Sequence, residues 1–114
     1  MNRRDDLLEY LNDTFTADNY EGYKLVEISD IIKSHCIELV NSLDDKYIVY
    51  LLSFDRNQHG TIEFYFDNDI NTMDIEIGNT SFGVIIRDKS GNIYEMYEIS
   101  ELNEFVDTKC KELF

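Results

Sequence analysis

The region from residue 57 to residue 86 holds the residue types most suited to chemistry, because it is rich in carboxylates and contains no Lys or Arg. Its acidic side chains are Glu63, Asp67, Asp69, Asp74 and Glu76. On paired strands, next-but-one residues lie ~6.6 Å apart along the chain and neighbouring strands lie ~4.8 Å apart. Carboxylates at that density resemble the phosphates of a nucleic-acid strand and would bind Lys and Arg side chains of a partner.

Two interpretations of this acidic region remain open at the level of sequence. Like charges on neighbouring strands destabilise a sheet, so their presence favours a partner that neutralises them. Acidic proteins also place carboxylates on exposed strands for solubility alone. Tyr65 alternates onto the same face, and tyrosine is enriched at protein interfaces. The predicted partner-binding set is Glu63, Tyr65, Asp67, Asp69, Asp74 and Glu76.

Other groupings of reactive side chains predict neither a metal site nor a catalytic site. The run from Asp67 to Asn71 resembles the start of a calcium loop, but position six is Thr72 and position twelve is Gly78 where Gly and Glu are needed. His35 and Cys36 are adjacent on a predicted helix and point about 100° apart, so they cannot easily share a metal. No nucleophile elbow, phosphate-binding glycine loop or two-histidine helix motif occurs. We therefore expect no enzymatic activity, no catalytic residue, no metal and no cofactor.

The overall charge narrows the choice of partner. The chain has 114 residues, with 24 acidic and 10 basic side chains and a formal net charge of −14. Nucleic acids and anionic membranes are bound through clustered Lys and Arg, so we expect neither as a direct partner. The expected partner is a basic protein, such as a nucleic-acid-binding enzyme. An apolar content of 43% is too high for an acidic disordered tail, and the length suits one domain, residues 1–114.

The sequence also predicts the cellular compartment and the oligomeric state of the protein. The first residues have no apolar core typical of a signal peptide. The longest apolar run, residues 47–52, is far shorter than the ~20 residues that span a bilayer. Cys36 and Cys110 are expected to be reduced core thiols, as in most intracellular proteins. We expect a soluble, cytoplasmic protein that is a monomer or a dimer.

Hydrophobic periodicity predicts the elements that carry the acidic residues. Helical spacing indicates helices over residues 2–13 and from Ser29 to about Asp44, the second with a stripe of Ile28, Ile31, Ile32, His35, Leu39 and Leu43. Alternation predicts strands over residues 47–54, 61–67, 73–77, 82–87 and 92–99. A last helix, capped by Ser100, would bury Leu102, Phe105, Val106, Cys110 and Leu113. The predicted fold class is α+β: an antiparallel meander of about five strands with two N-terminal helices and one C-terminal helix.

Two segments carry a resemblance to a known family. Residues 29–32, Ser-Asp-Ile-Ile, and residues 81–92, which span the first strand and the turn of the predicted last hairpin, resemble the first helix and last hairpin of the phage uracil-DNA glycosylase inhibitors. At the level of class, the chain is similar to anti-CRISPR and anti-restriction proteins, which are small and acidic. These resemblances imply an inhibitor that presents a DNA-like surface to a basic enzyme. An immunity or antitoxin protein that neutralises a basic toxin, and a structural adaptor domain, are the alternatives.

Overall fold

The computed structural model describes residues 3–16, 19–20, 23–24 and 26–114. The described helices are α1 (Arg3–Thr16), α2 (Asp30–Ser42), α3 (Asp45–Ile48) and α4 (Leu102–Leu113). The described strands are β1 (Asn19–Tyr20), β2 (Tyr23–Lys24), β3 (Leu51–Arg56), β4 (Ile62–Asp67), β5 (Asn71–Ile77), β6 (Phe82–Asp88) and β7 (Ile93–Ile99). β1 pairs with β2, and β3 to β7 form an antiparallel sheet in chain order. The predicted α+β meander is therefore confirmed.

One face of the five-stranded sheet forms the floor of the hydrophobic core. On β4, β5 and β6, alternate side chains are buried, as the period of two requires. The helices cover this face: α1 contacts α2 and β3, whereas α2 contacts β5 and α4. Within the part of the chain that the structure describes, none of the helices combines the length and apolar character needed to cross a bilayer.

The first two helices follow the predicted pattern with three differences. The predicted start at Asn2 lies outside the described residues, and α1 extends to Thr16 because Phe15 also packs into the core. Ser29 caps α2 as predicted, with its Oγ accepting a hydrogen bond from the Ile32 amide at 3.2 Å. Ile31 is wrong as a core residue, since it is 55% exposed. His35 is also outside the core and packs edge-on against Phe82 at its rim.

The predicted strand over residues 47–54 begins too early. Asp44 caps the one-turn helix α3 by accepting a hydrogen bond from the Lys46 amide, and β3 starts only at Leu51. The short helix buries both Tyr47 and Ile48, which are consecutive in sequence. A strand would point two consecutive side chains to opposite faces, so the helical turn is what allows both to enter the core.

The last helix begins one residue later than predicted. Ser100 is not its cap: β7 continues to Ile99, the N-cap position is Glu101, and the Glu101 side chain makes no capping hydrogen bond. Leu102, Val106 and Cys110 are buried as predicted, whereas Phe105 and Leu113 are only partly buried against the core.

Lys109 is the buried charged residue among those the structure describes, and it joins α4 to β7. Its Nζ donates to Glu95 at 3.0 Å, to Glu112 at 3.1 Å and to the Tyr97 hydroxyl at 3.2 Å. Burial lowers the pKa of the Lys109 ammonium, but these hydrogen bonds outweigh burial and raise the pKa above its usual value. Lys109 therefore stays charged and links helix α4 to strand β7 through hydrogen bonds.

Cys36 and Cys110 are both fully buried and are not joined in a disulfide. Burial raises the pKa of each thiol to about 12. Because the thiolate is the reactive form, both side chains behave as small apolar groups in the core.

Lys109→Ala should lower the free energy of unfolding by about 2 kcal/mol, because it leaves the half-buried Glu95 carboxylate without its cation. Lys111→Ala is the matched control on the same helix, since Lys111 pairs with Asp107 on the exposed side. Its effect should be much smaller, as for most exposed ion pairs. Urea unfolding followed by circular dichroism measures both. Equal losses of unfolding free energy in the two variants would contradict the role of Lys109 in linking α4 to β7.

Candidate protein-binding surface

The outer face of the sheet carries a line of carboxylates that crosses the strands. The register pairs Asp55 with Glu63, Glu63 with Glu76, Glu76 with Gly83, and Gly83 with Glu98. Residues directly opposite each other in an antiparallel sheet point to the same face. We call Asp55, Glu63, Glu76 and Glu98 the carboxylate row. With strands ~4.8 Å apart, its two ends are separated by about 19 Å.

The structure places the six residues of the predicted set in three groups. Glu63 and Glu76 are direct cross-strand neighbours within the carboxylate row. Tyr65 and Asp74 form the adjacent pair on the same face, and Asp67 lies beyond them opposite Thr72. Asp69 sits in the turn between β4 and β5 with a positive φ of 71°, and it lines one depression together with Tyr65, Asp67 and Asp74.

The turn that resembled a calcium loop is built from hydrogen bonds of its own side chains. Asp67 Oδ1 accepts from the Asp69 amide at 2.7 Å, and Asp67 Oδ2 accepts from the Tyr65 hydroxyl at 3.1 Å. Asn68 Oδ1 accepts from the amides of Ile70 and Asn71. These are Asx-type interactions, in which short polar side chains replace backbone partners in a tight turn. Asp67 and Asn68 therefore have a structural role.

Folding brings a base into the region that lacks one in sequence. Arg87 follows directly after residue 86, and its Nη1 lies 2.5 Å from Oδ2 of Asp74. Burial raises the pKa of Asp74, and the opposing effect of Arg87 does not fully cancel it. The charge of Asp74 is therefore paired within the fold, because the neighbouring strand supplies the cation.

The carboxylate row differs from Asp74 in its ion pairing. None of the ion pairs among the described residues includes Asp55, Glu63, Glu76 or Glu98. The pKa of Glu63 is raised, first by burial and further by the neighbouring charges of Asp74, Glu76 and Asp55; a hydrogen bond from Asn57 opposes the shift. Holding Glu63 ionised in this position costs folding free energy.

Glu76 is held in place at the end of the sheet where β3 and β4 connect. Its Oε2 accepts from Asn57 Nδ2 at 2.8 Å and from Thr61 Oγ1 at 2.9 Å. Both bonds go to one oxygen, so Oε1 retains its lone pairs for another donor. The carboxylate is therefore oriented before any partner arrives.

Asp55 and Glu98 are members of the row that sequence reasoning missed. Asp55 lies just after the predicted strand over residues 47–54, but β3 extends to Arg56. Glu98 lies within the predicted strand over residues 92–99, where it alternates with the partly buried Tyr97 and Ile99. Their alternation with neighbouring core residues was the available signal, but only the register shows that they align with Glu63 and Glu76.

Glu63→Gln tests the cost of holding Glu63 ionised, which comes first from burial and further from the neighbouring charges. A carboxyl whose pKa is raised on folding binds its proton more tightly in the folded state, so its contribution to stability falls as pH rises. At pH 7 the variant should melt at the same temperature as the wild type or higher. That difference should vanish as pH falls through the raised pKa of Glu63. Thermal melts from pH 7 to pH 4 measure it, with Glu38→Gln on α2 as a control for loss of one surface charge. A difference that is independent of pH would contradict a cost of ionisation at Glu63.

Comparisons with protein-family models, with curated proteins and with solved structures find no match to this chain. The resemblance of residues 29–32 and 81–92 to the uracil-DNA glycosylase inhibitors stays a prediction. The function has to be argued from the outer face of the sheet itself.

Proposed function

We propose that this protein binds a basic protein surface through the outer face of its sheet and thereby blocks a site that otherwise holds nucleic acid. The observation that carries the proposal is the carboxylate row, in which Asp55, Glu63 and Glu76 lie directly opposite one another on three neighbouring strands. The partner would be a nucleic-acid-binding enzyme, and the protein would act as its stoichiometric inhibitor.

The spacing of the row supports a partner that recognises phosphates. Asp55, Glu63 and Glu76 lie on successive strands, each ~4.8 Å from the next, which is of the same order as the ~3.4 Å axial spacing of phosphates along one DNA strand. Lys and Arg side chains that collect phosphates would meet the row at a similar charge density. Opposite charge on the two surfaces would also speed their association.

The energetics of the row support a role beyond solubility. Carboxylates placed directly across from each other destabilise a sheet. The pKa of Glu63 is raised first by burial and further by the charges of Asp74, Glu76 and Asp55, so ionised Glu63 carries both costs. A solvated face could carry Thr, Gln or Lys at the same positions without this penalty. A basic partner would relieve the repulsion when it binds, so part of the cost becomes binding free energy.

Removing the row should abolish partner binding. The test variant is D55N/E63Q/E76Q/E98Q, which keeps side-chain size and spares Asp74 so that Arg87 stays paired. The matched control removes four exposed acids from the helical side and the loop before α2: E9Q/D13N/E27Q/E38Q. Proteins captured on immobilised wild type are purified, and their affinity for each form is measured by calorimetry at increasing salt.

We expect the row variant to bind at least tenfold more weakly, equivalent to about 1.4 kcal/mol, and the control to bind almost as well as the wild type. Wild-type affinity should fall with salt, and DNA or RNA should compete for the captured enzyme. If both variants weaken binding equally, only net charge matters. If neither does, the contact lies elsewhere and the proposal is wrong.

The protein should have no affinity of its own for nucleic acid. A formal net charge of −14 opposes binding to a polyanion, most strongly at low salt where screening is weakest. Mobility-shift assays with single-stranded and double-stranded DNA at low salt should show no complex. Submicromolar binding would contradict mimicry of nucleic acid by the outer face.

A further inference from the structure

Gly83 interrupts the carboxylate row, because it has no side chain. It lies on β6, an interior strand, directly between Glu76 on β5 and Glu98 on β7. Gly60 and Gly91 have positive φ angles that favour glycine, but Gly83 is not in that region. The backbone conformation at this position therefore does not call for glycine.

Packing does not call for glycine there either. A Cβ built on Gly83 would come no closer than 4.0 Å to Glu76 Cβ, which is ordinary contact. At Gly78, by contrast, a Cβ would lie 3.1 Å from the Ser81 carbonyl oxygen. Glycine in the interior of a strand weakens it and often marks a place where a ligand or another chain comes close. The folded protein thus gives up strand stability at Gly83 without a structural reason within the sheet.

A depression of about 560 Å³ lies in the outer face at Gly83, and the absence of a side chain there helps to open it. Glu76 and Glu98 line it on opposite sides, and Gly83 also lines it. Met96, which is 67% exposed, contributes an apolar wall, and the other lining residues are Thr61, Gly78, Ser81 and Tyr97. We call this depression the Gly83 notch.

We propose that the Gly83 notch receives an arginine side chain of the basic partner, an inference that rests on the proposed function. The Cα atoms of Glu76 and Glu98 are two strands apart, ~9.6 Å, so one planar guanidinium could lie between the two carboxylates. Its five N–H donors suit two acceptors on opposite sides better than a compact ammonium does. Glu76 already offers a free Oε1, since Asn57 and Thr61 occupy Oε2.

The exposed side chain of Met96 favours arginine over other cations as the occupant of the notch. The methylene stem of arginine is apolar, and it would cross the exposed thioether on its way to the carboxylates. A metal ion or a small ammonium ion would leave that wall without a partner. The notch therefore combines charge complementarity at its two sides with an apolar contact along the path of entry.

The test is a titration followed by NMR, with the capped peptide acetyl-Gly-Arg-Gly-amide as the probe. Peptides with citrulline or Lys in place of Arg separate charge from shape. We expect shift changes at the Gly83 amide and the Met96 methyl, weaker binding of the Lys peptide, and none of the citrulline peptide. Gly83→Val places a branched side chain between Glu76 and Glu98 without changing charge, and it should bind at least tenfold more weakly while melting at the same temperature or higher. Ile85→Val, on the same strand, is the matched control and should bind as the wild type does.

Three outcomes would overturn the inference: shift changes that map away from the notch, equal binding of Arg and citrulline peptides, or undiminished binding by Gly83→Val. If Gly83→Val does not fold, Glu98→Gln serves as the second variant, and undiminished binding by it has the same meaning. The proposed function fails separately. If the row variant no longer binds the captured enzyme but Gly83→Val still does, only the inference about the notch is refuted. If the row variant still binds the enzyme, the proposed function is refuted, even if the peptide occupies the notch.

Discussion

Burial of one face of the five-stranded sheet is the constraint on which the rest of this structure depends. Phe64, Ile75 and Val84 lie side by side on three neighbouring strands and are covered by the helices. Because side chains alternate along a strand, burying these residues forces their sequence neighbours outward. A shift of one residue in register would place charged side chains in the core. The same contacts that stabilise the fold therefore hold Glu63 and Glu76 on the outer face.

The two faces of the sheet differ in how their charged side chains are paired. On the inner side, the ammonium of Lys109 is surrounded by carboxylate and hydroxyl acceptors. On the outer side, Asp74 has Arg87, but the carboxylate row has no cation among the described ion pairs. Buried charge must be satisfied, whereas exposed charge is tolerated at a smaller cost because water screens it. Uncompensated charge can therefore accumulate only where a partner could reach it.

The carboxylate row and the Gly83 notch have the same structural origin. Both arise from a single line of register that runs from Asp55 on β3 to Glu98 on β7. Four of its five positions carry acids that repel each other, and the fifth, Gly83, carries no side chain at all. Each choice lowers the stability of the isolated sheet. A basic partner with a protruding arginine would compensate both, which is why the two proposals share a surface but can fail independently.

The sequence by itself determined the element types, the meander and the outward orientation of Glu63, Tyr65, Asp74 and Glu76, because local periodicity encodes which face each residue takes. It could not supply the interactions between residues distant in the chain. The helical turn α3 came from capping by Asp44 and burial of Tyr47, which compete with strand propensity. The pairing of Arg87 with Asp74, the alignment of Asp55 and Glu98 with the row, and the notch at Gly83 depend on register across strands. Only the tertiary structure decided them, since register is set by packing of the whole sheet against the helices.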